Sequence, residues 1–204
     1  MNKKKGLLIV VSAPSGCGKG TILEAAMKRK EFCYSVSATT RSPRPGETDG
    51  VNYFFLDRER FEEMARNGEM LEYAEFVGNL YGTPRAPVEE KLAEGRDVIL
   101  EIEVQGAMKV KKACPDAVLI FILPPSVDVL RQRLCKRKTE SEEVIEERVA
   151  QAGREIGEAV NYDYAIVNDD LEKAVEDFLG VIQAEKLTVK RQKDTIDNII
   201  NEKQ

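Results

Sequence analysis

The stretch GLLIVVSAPSGCGKGTILEAAMKRK, residues 6–30, decides how the rest of the chain is read. GLLIVVS (6–12) is a continuous apolar run of strand length, the pattern of a strand covered on both faces. From Thr21 to Lys30 the residues Ile22, Leu23, Ala26 and Met27 fall on one helical face. Between the two lies APSGCGKGT (13–21), built from Ala13, Pro14, Ser15, Gly16, Cys17, Gly18, Lys19, Gly20 and Thr21. In a glycine loop that leaves a buried strand and enters a helix, the backbone N–H groups of Ser15 to Gly20 can face inward as an anion nest, backed by the positive end of the helix. Lys19 adds a point charge suited to β and γ phosphates. The loop departs from G-x-x-x-x-G-K-[ST] at both ends. Ala13 is harmless there if its backbone keeps a negative φ, whereas Gly20 lacks the hydroxyl that often binds magnesium. Thr21, one position later, or a water molecule is expected to take over that task.

Working outward, apolar runs recur at VILEIEV (98–104), AVLIFIL (117–123) and YAIV (164–167), each followed by a helical pattern. That alternation implies an α/β fold with a parallel sheet wrapped by helices, a phosphate-loop core made from residues 1–37, 97–124 and 161–204. Two insertions interrupt it. Residues 38–96 hold short β-like pieces around NYFFL and EMLEYAEF, then a helix opened by Pro84 or Pro87 and closed by Gly95. Residues 125–160 read as two charged helices, with Ser126 capping the first and Thr139 to Glu142 forming a capping box for the second.

Composition narrows the chemistry. The chain has 204 residues, enough for one sizeable core, and a net charge of -5, which argues against a general nucleic-acid binder. It has no histidine, so a Ser-His-Asp hydrolase or a histidine proton shuttle is excluded. Phosphoryl transfer stays open, because positioning and charge neutralisation carry it. The cysteines, Cys17, Cys33, Cys114 and Cys135, have no C-x-x-C spacing and read as reduced thiols of a cytoplasmic protein. The first residues imitate a signal peptide, but Pro14 disfavours cleavage and the apolar run continues straight into the glycine loop. No membrane span is expected.

A second constellation is SATTRSPRPGETDGVNYFF (37–55). Arg41 and Arg44 offer two forked donors on a chain stiffened by Pro43 and Pro45, suited to one phosphate dianion, and Tyr53 and Tyr81 can add neutral hydroxyls. A solvated proline-rich loop with exposed arginines is the alternative at this point.

With APSGCGKGT and SATTRSPRPGETDGVNYFF, the motifs LEYAEFVGNLYGT, ILEIEVQGA, FILPPS followed by RLCKRKTESEE, and IVNDDL run in order through residues 7–186. Together they resemble the guanylate kinase family. The resemblance implies transfer of the γ-phosphoryl group of ATP to GMP, giving ADP and GDP, with Mg2+ as cofactor and dGMP as a further candidate acceptor. It implies that 38–96 is the GMP-binding insertion and 125–160 a mobile lid. Ser37, Glu72, Thr83 and Glu101 fall where the family recognises guanine, and Arg41, Arg44, Tyr53 and Tyr81 where it holds the GMP phosphate. Arg133, Arg137 and Arg148 fall where its lid embraces the transferred phosphoryl, and Asn168 beside the adenine. Lys19, Arg44, Arg137 and Arg148 are thus the candidate catalytic residues, and the loop 13–21 with Arg133 and Asn168 the ATP site. Glu101 and Glu103 stand where aspartate is frequent in the family, and with Thr21 they are the candidate Mg2+ holders, directly or through water.

The residue chemistry agrees. A phosphate monoester with a second pKa of about 6 is largely a dianion at neutral pH and needs no base to attack. Guanine presents adjacent N–H donors that a carboxylate such as Glu72 can accept, whereas adenine would leave that carboxylate unpaired. A kinase for another nucleoside monophosphate and a non-enzymatic module like the kinase-derived domains of membrane-associated scaffolds are the alternatives. Beyond the motifs, residues 187–204 carry Ile196, Ile199 and Ile200 at helical spacing, as a terminal helix or a homodimer contact.

Overall fold

A computed structural model describes residues 4–136 and 141–201. The elements run β1 (Leu8–Ser12), α1 (Lys19–Arg29), β2 (Cys33–Tyr34), β3 (Ala38–Thr39), β4 (Phe54–Phe55), α2 (Arg58–Arg66), β5 (Met70–Phe76) and β6 (Asn79–Pro84). They continue with α3 (Arg85–Ala93), β7 (Val98–Glu101), α4 (Val104–Ala113), β8 (Val118–Leu123), α5 (Val127–Lys136), α6 (Glu142–Gly157), β9 (Tyr164–Val167), α7 (Leu171–Leu187) and α8 (Val189–Asn201).

The main sheet has the order β2-β7-β1-β8-β9, and every pair is parallel. Alternation along β1 sends Ile9 and Val11 into one core with Ile22, Leu23 and Phe178 of α1 and α7, and Leu8 and Val10 into another with Val88, Ala107 and Val110 of α3 and α4. A strand with a core on each face must be apolar at every position, which is why β1 and β8 read as unbroken hydrophobic runs. The register Val11↔Glu101 and Ser12↔Phe121 brings the carboxyl ends of β1, β7 and β8 level. The loops that leave them converge on one edge, where ligands of open α/β sheets bind.

The first insertion builds its own sheet, β4-β3-β6-β5, over a small core of Ala38, Phe61, Met70 and Leu80. Asp57 caps α2 by accepting from the Arg60 N–H at 2.7 Å. Pro84 occupies the cap position of α3, and Gly95, at φ 81°, ends the helix with its N–H on the Leu92 carbonyl, as the sequence implies. In the second insertion the Ser126 hydroxyl accepts from the Val129 N–H at 3.1 Å, capping α5. Arg131 of α5 forms a paired salt bridge with Glu146 of α6.

Four local expectations shift. Helix α1 begins at Lys19, not Thr21, because the left-handed Gly18 already occupies its cap position. Met27 is 37% exposed rather than part of the buried face. The run 98–104 is a strand only to Glu101, since its neighbour β1 ends one residue further on and the chain turns into α4 at Val104. The cap position of α6 is Ser141, whereas Thr139 lies outside the described residues. The terminal α8 is helical to Asn201 and leaves Ile196, Ile199 and Ile200 at 40–57% exposure. Among the described residues no helix is long and apolar enough to cross a membrane.

Ile120, fully buried at the centre of β8, tests the two-sided core. Ile120→Ala is expected to lower unfolding stability by about 2–5 kcal/mol in urea denaturation. A loss below about 1 kcal/mol would contradict close packing there.

Candidate active site

The loop after β1 is held open by backbone geometry. Gly16 and Gly18 have φ of 90° and 81°, a region that side chains with a Cβ rarely enter. A Cβ on Gly16 would come 2.9 Å from Leu134 of α5, and one on Gly18 would come 2.4 Å from Asn168 Nδ2. Ala13 keeps a negative φ, consistent with its tolerance at the position of the missing first glycine. The Cys17 N–H closes a turn on the Pro14 carbonyl at 3.2 Å. Burial pushes the Cys17 thiol up to about 12, so it stays protonated and serves as a small packing group.

Asn168 ties this loop to the far side of the sheet. It follows β9, is buried, and donates from Nδ2 to the Cys17 carbonyl at 2.7 Å. Its own carbonyl accepts from Arg133 Nη2 of α5 at 2.8 Å, so the second insertion, the β9 loop and the phosphate loop are joined. Arg133 Nη1 is buried without a hydrogen-bond partner among the described residues. Such a donor is costly to leave unpaired and suits a ligand acceptor.

Lys19, in the first turn of α1, reaches Glu101 at the end of β7, Nζ to Oε1 3.5 Å. The other Glu101 oxygen accepts from the Tyr34 hydroxyl. Thr21 sits exposed in the same turn of α1, and Glu103 occupies the cap position of α4. Among the described residues no group of three or more His, Cys, Asp or Glu converges on a metal position.

Across the first insertion, Glu72 of β5 is 8% exposed, and its Oε1 accepts from Thr83 Oγ1 of β6 at 2.8 Å. Its Oε2 lies over Gly106 of α4, where a Cβ would come within 2.9 Å. Desolvation raises the Glu72 pKa above its ordinary value, offset in part by the Thr83 hydrogen bond and the charge of Lys109. Ser37 lies between β2 and β3, half-buried.

Arg41 stacks over the rings of Tyr53 and Phe55, at 5.5 and 5.7 Å, and Tyr53 packs edge-on to Tyr81 at 6.2 Å. Its Nη1 and Nη2 each donate to Glu47 at 2.9 Å, and the Arg44 N–H donates to the same carboxylate at 2.7 Å. The Arg44 side chain is exposed. Arg148 is half-buried beside Val149 on α6, and Arg137 lies outside the described residues.

The structure therefore gathers three groups: the phosphate loop with Lys19, Glu101, Asn168 and Arg133; Glu72 with Thr83; and Arg41 with Tyr53 and Tyr81. Sequence reading missed Tyr34, Gly106 and Glu47. Only the last carried a local signal, because Pro45-Gly46 in RPGE places its carboxylate one turn from Arg44.

A parallel sheet whose central strand feeds a glycine-lysine phosphate loop defines the chain as a P-loop phosphotransferase. Residues 5–185 match the guanylate kinase family model. The guanylate kinase of Carboxydothermus hydrogenoformans is 55% identical over 188 residues, 92% of each chain. That of Listeria innocua is 55% identical over 190 residues, covering 92% of this chain and 93% of its own. The crystal structure of guanylate kinase from Anaplasma phagocytophilum is similar with a TM-score of 0.72 at 36% identity, covering 94% of this chain and 92% of that one. The chain belongs to the guanylate kinase family, whose reaction is ATP-dependent phosphorylation of GMP to GDP.

The raised pKa of Glu72 has a sign that can be measured. Its folded form favours the neutral acid, so its contribution to stability is greatest below the ordinary carboxyl value and falls as the pH rises through the raised one. Glu72→Gln is therefore expected to raise the melting temperature of the nucleotide-free protein at pH 7, with the gain shrinking towards pH 4. An unchanged or lower melting temperature at pH 7 would mean that this carboxylate is not under desolvation strain.

Proposed function

We propose that the chain divides GMP phosphorylation between two anion sites facing each other across the sheet edge. The N–H groups of residues 15–20, except that of Cys17, which is engaged on the Pro14 carbonyl, and the start of α1 hold the ATP phosphates, with Lys19 at the β and γ groups. Asn168 and the unpaired Arg133 donor line the nucleotide end. On the acceptor side, Glu72, supported by Thr83 and Ser37, takes the N–H donors of guanine. Arg41, Arg44, Tyr53 and Tyr81 hold the GMP phosphate. The observation that carries this reading is the buried Glu72 carboxylate, whose oxygen is already fixed by Thr83.

Chemically, the residues position and neutralise. The acceptor dianion attacks without a base, and the two phosphate groups repel until cationic side chains offset them. Lys19, Arg44, Arg137 and Arg148 are assigned that role. Magnesium, entering with ATP, supplies further charge neutralisation at the β and γ phosphates; Thr21, Glu101 and Glu103 would hold it, directly or through water. In this reading 38–96 is the acceptor subdomain, 125–160 the lid, and the remainder the core. Closing the lid excludes water and so suppresses ATP hydrolysis. We place the enzyme in the cytoplasm, where its substrates and reduced thiols belong. A homodimer would use the exposed isoleucine stripe of α8 as its contact.

Coupled ADP-release assays with GMP and AMP test the acceptor assignment. GMP should be preferred by a factor on the order of 10⁴, because AMP leaves the buried carboxylate unpaired; preference for AMP would overturn it. Arg44→Ala separates the two phosphate sites. It should raise KM for GMP by about ten- to a hundredfold while leaving ATP affinity within about twofold, and equal losses for both would contradict its place on the acceptor side.

A further inference from the structure

We propose that Glu47 is a positioning residue for the acceptor site: it sets the orientation of Arg41 and the backbone of Arg44, and through them the affinity for GMP. The inference rests on the assignment of Arg41 and Arg44 to the GMP phosphate.

The geometry of Arg41 leaves it little freedom. Guanidinium carries five N–H donors in a rigid plane. Nη1 donates to the Ser42 carbonyl at 2.7 Å and to Glu47 Oε2 at 2.9 Å, and Nη2 donates to Glu47 Oε1 at 2.9 Å. The end-on fork is thus occupied by the carboxylate. The donors left over, the Nε–H and the second Nη2 hydrogen, point in a direction fixed by the first pair, and the Tyr81 hydroxyl also interacts with this guanidinium. Tyr53 and Phe55 pack against the same guanidinium and limit its rotation. Its side chain and that of Glu47 are only 15% and 19% exposed, so neither swings freely in water.

The same carboxylate governs Arg44 through the main chain. Glu47 Oε2 accepts from the Arg44 N–H at 2.7 Å, while the Glu47 N–H donates to the Arg44 carbonyl at 3.0 Å. The turn needs Pro45 at its second position and Gly46, at φ 88°, at its third. One acidic side chain is therefore bound to both arginines across a seven-residue loop, from Arg41 to Glu47.

Electrostatics alone does not account for this placement. A negative group beside a dianion site reduces its attraction for the ligand. The arginine partnership and the Arg44 N–H hold the Glu47 carboxyl at about 2, against an ordinary 4.5. The pairing is accordingly present above the ordinary carboxyl range, lost only as the pH falls through about 2, and complete at any pH where the enzyme works. What the carboxylate contributes is orientation: two donors already aimed lose less freedom when the phosphate arrives.

Charge and orientation forecast opposite signs, so one substitution decides between them. With Glu47→Gln, steady-state kinetics with each substrate varied at saturating co-substrate should show KM for GMP raised by about tenfold or more and KM for ATP within about twofold. An unchanged or lower KM for GMP, as loss of a negative charge alone would produce, overturns the proposal, and so does an equal rise in both KM values. Arg41→Ala and the double variant complete the cycle. Action through Arg41 makes the two effects less than additive, and full additivity overturns it. If Arg41→Ala raises KM for GMP while Glu47→Gln does not, the positioning role fails and the arginine assignment stands. If Arg41→Ala leaves KM for GMP unchanged, the assignment itself fails and the inference falls with it.

Discussion

A strand covered on both faces that must stop at the sheet edge and turn into a helix is the constraint on which this molecule depends. Because Ile9 and Val11 are locked into one core and Leu8 and Val10 into another, the end of β1 cannot shift without disturbing both. The loop that follows inherits that rigidity. Its left-handed glycines leave no room for side chains, Leu130 and Leu134 of α5 close over Gly16, and Asn168 holds the Cys17 carbonyl. A backbone held in this way requires little reorganisation when an anion binds.

Three glutamates show how one functional group acquires different tasks from its surroundings. Glu72 is starved of water, which raises its pKa and makes its free oxygen a demanding acceptor. Glu47 is saturated with donors, which drives its pKa down to about 2 and turns it into a brace. Glu101 is shared between Lys19 and Tyr34, so it holds the loop lysine at the end of β7. Under the proposed reading these correspond to recognising the base, orienting the phosphate clamp and steadying the charge that meets ATP.

Packing joins the two sheets as much as charge does. Gly106 at the start of α4 leaves space for Glu72, bringing the sheet β4-β3-β6-β5 against the core. Arg133 carries the second insertion onto the β9 loop. Both contacts cross between an insertion and the core at the edge where the parallel strands end. Under the proposed function, displacement of either insertion is thereby coupled to groups that face a nucleotide.

The sequence by itself determined the elements whose signal is local. An unbroken apolar run marks β1 and β8 because two cores demand it, and the glycine-lysine loop between strand and helix marks the phosphate site because backbone geometry and charge are written in adjacent residues. Proline and glycine likewise mark the ends of α3. Where strand β7 stopped was not legible, since VILEIEV continues to alternate after the neighbouring strand has ended. Nor was the pairing of Glu72 with Thr83, of Lys19 with Glu101, or of Asn168 with Cys17, 151 residues away. Those contacts exist only once the sheets are assembled, because burial, reach and the loss of water are properties of neighbours in space, and the tertiary structure alone brings them together.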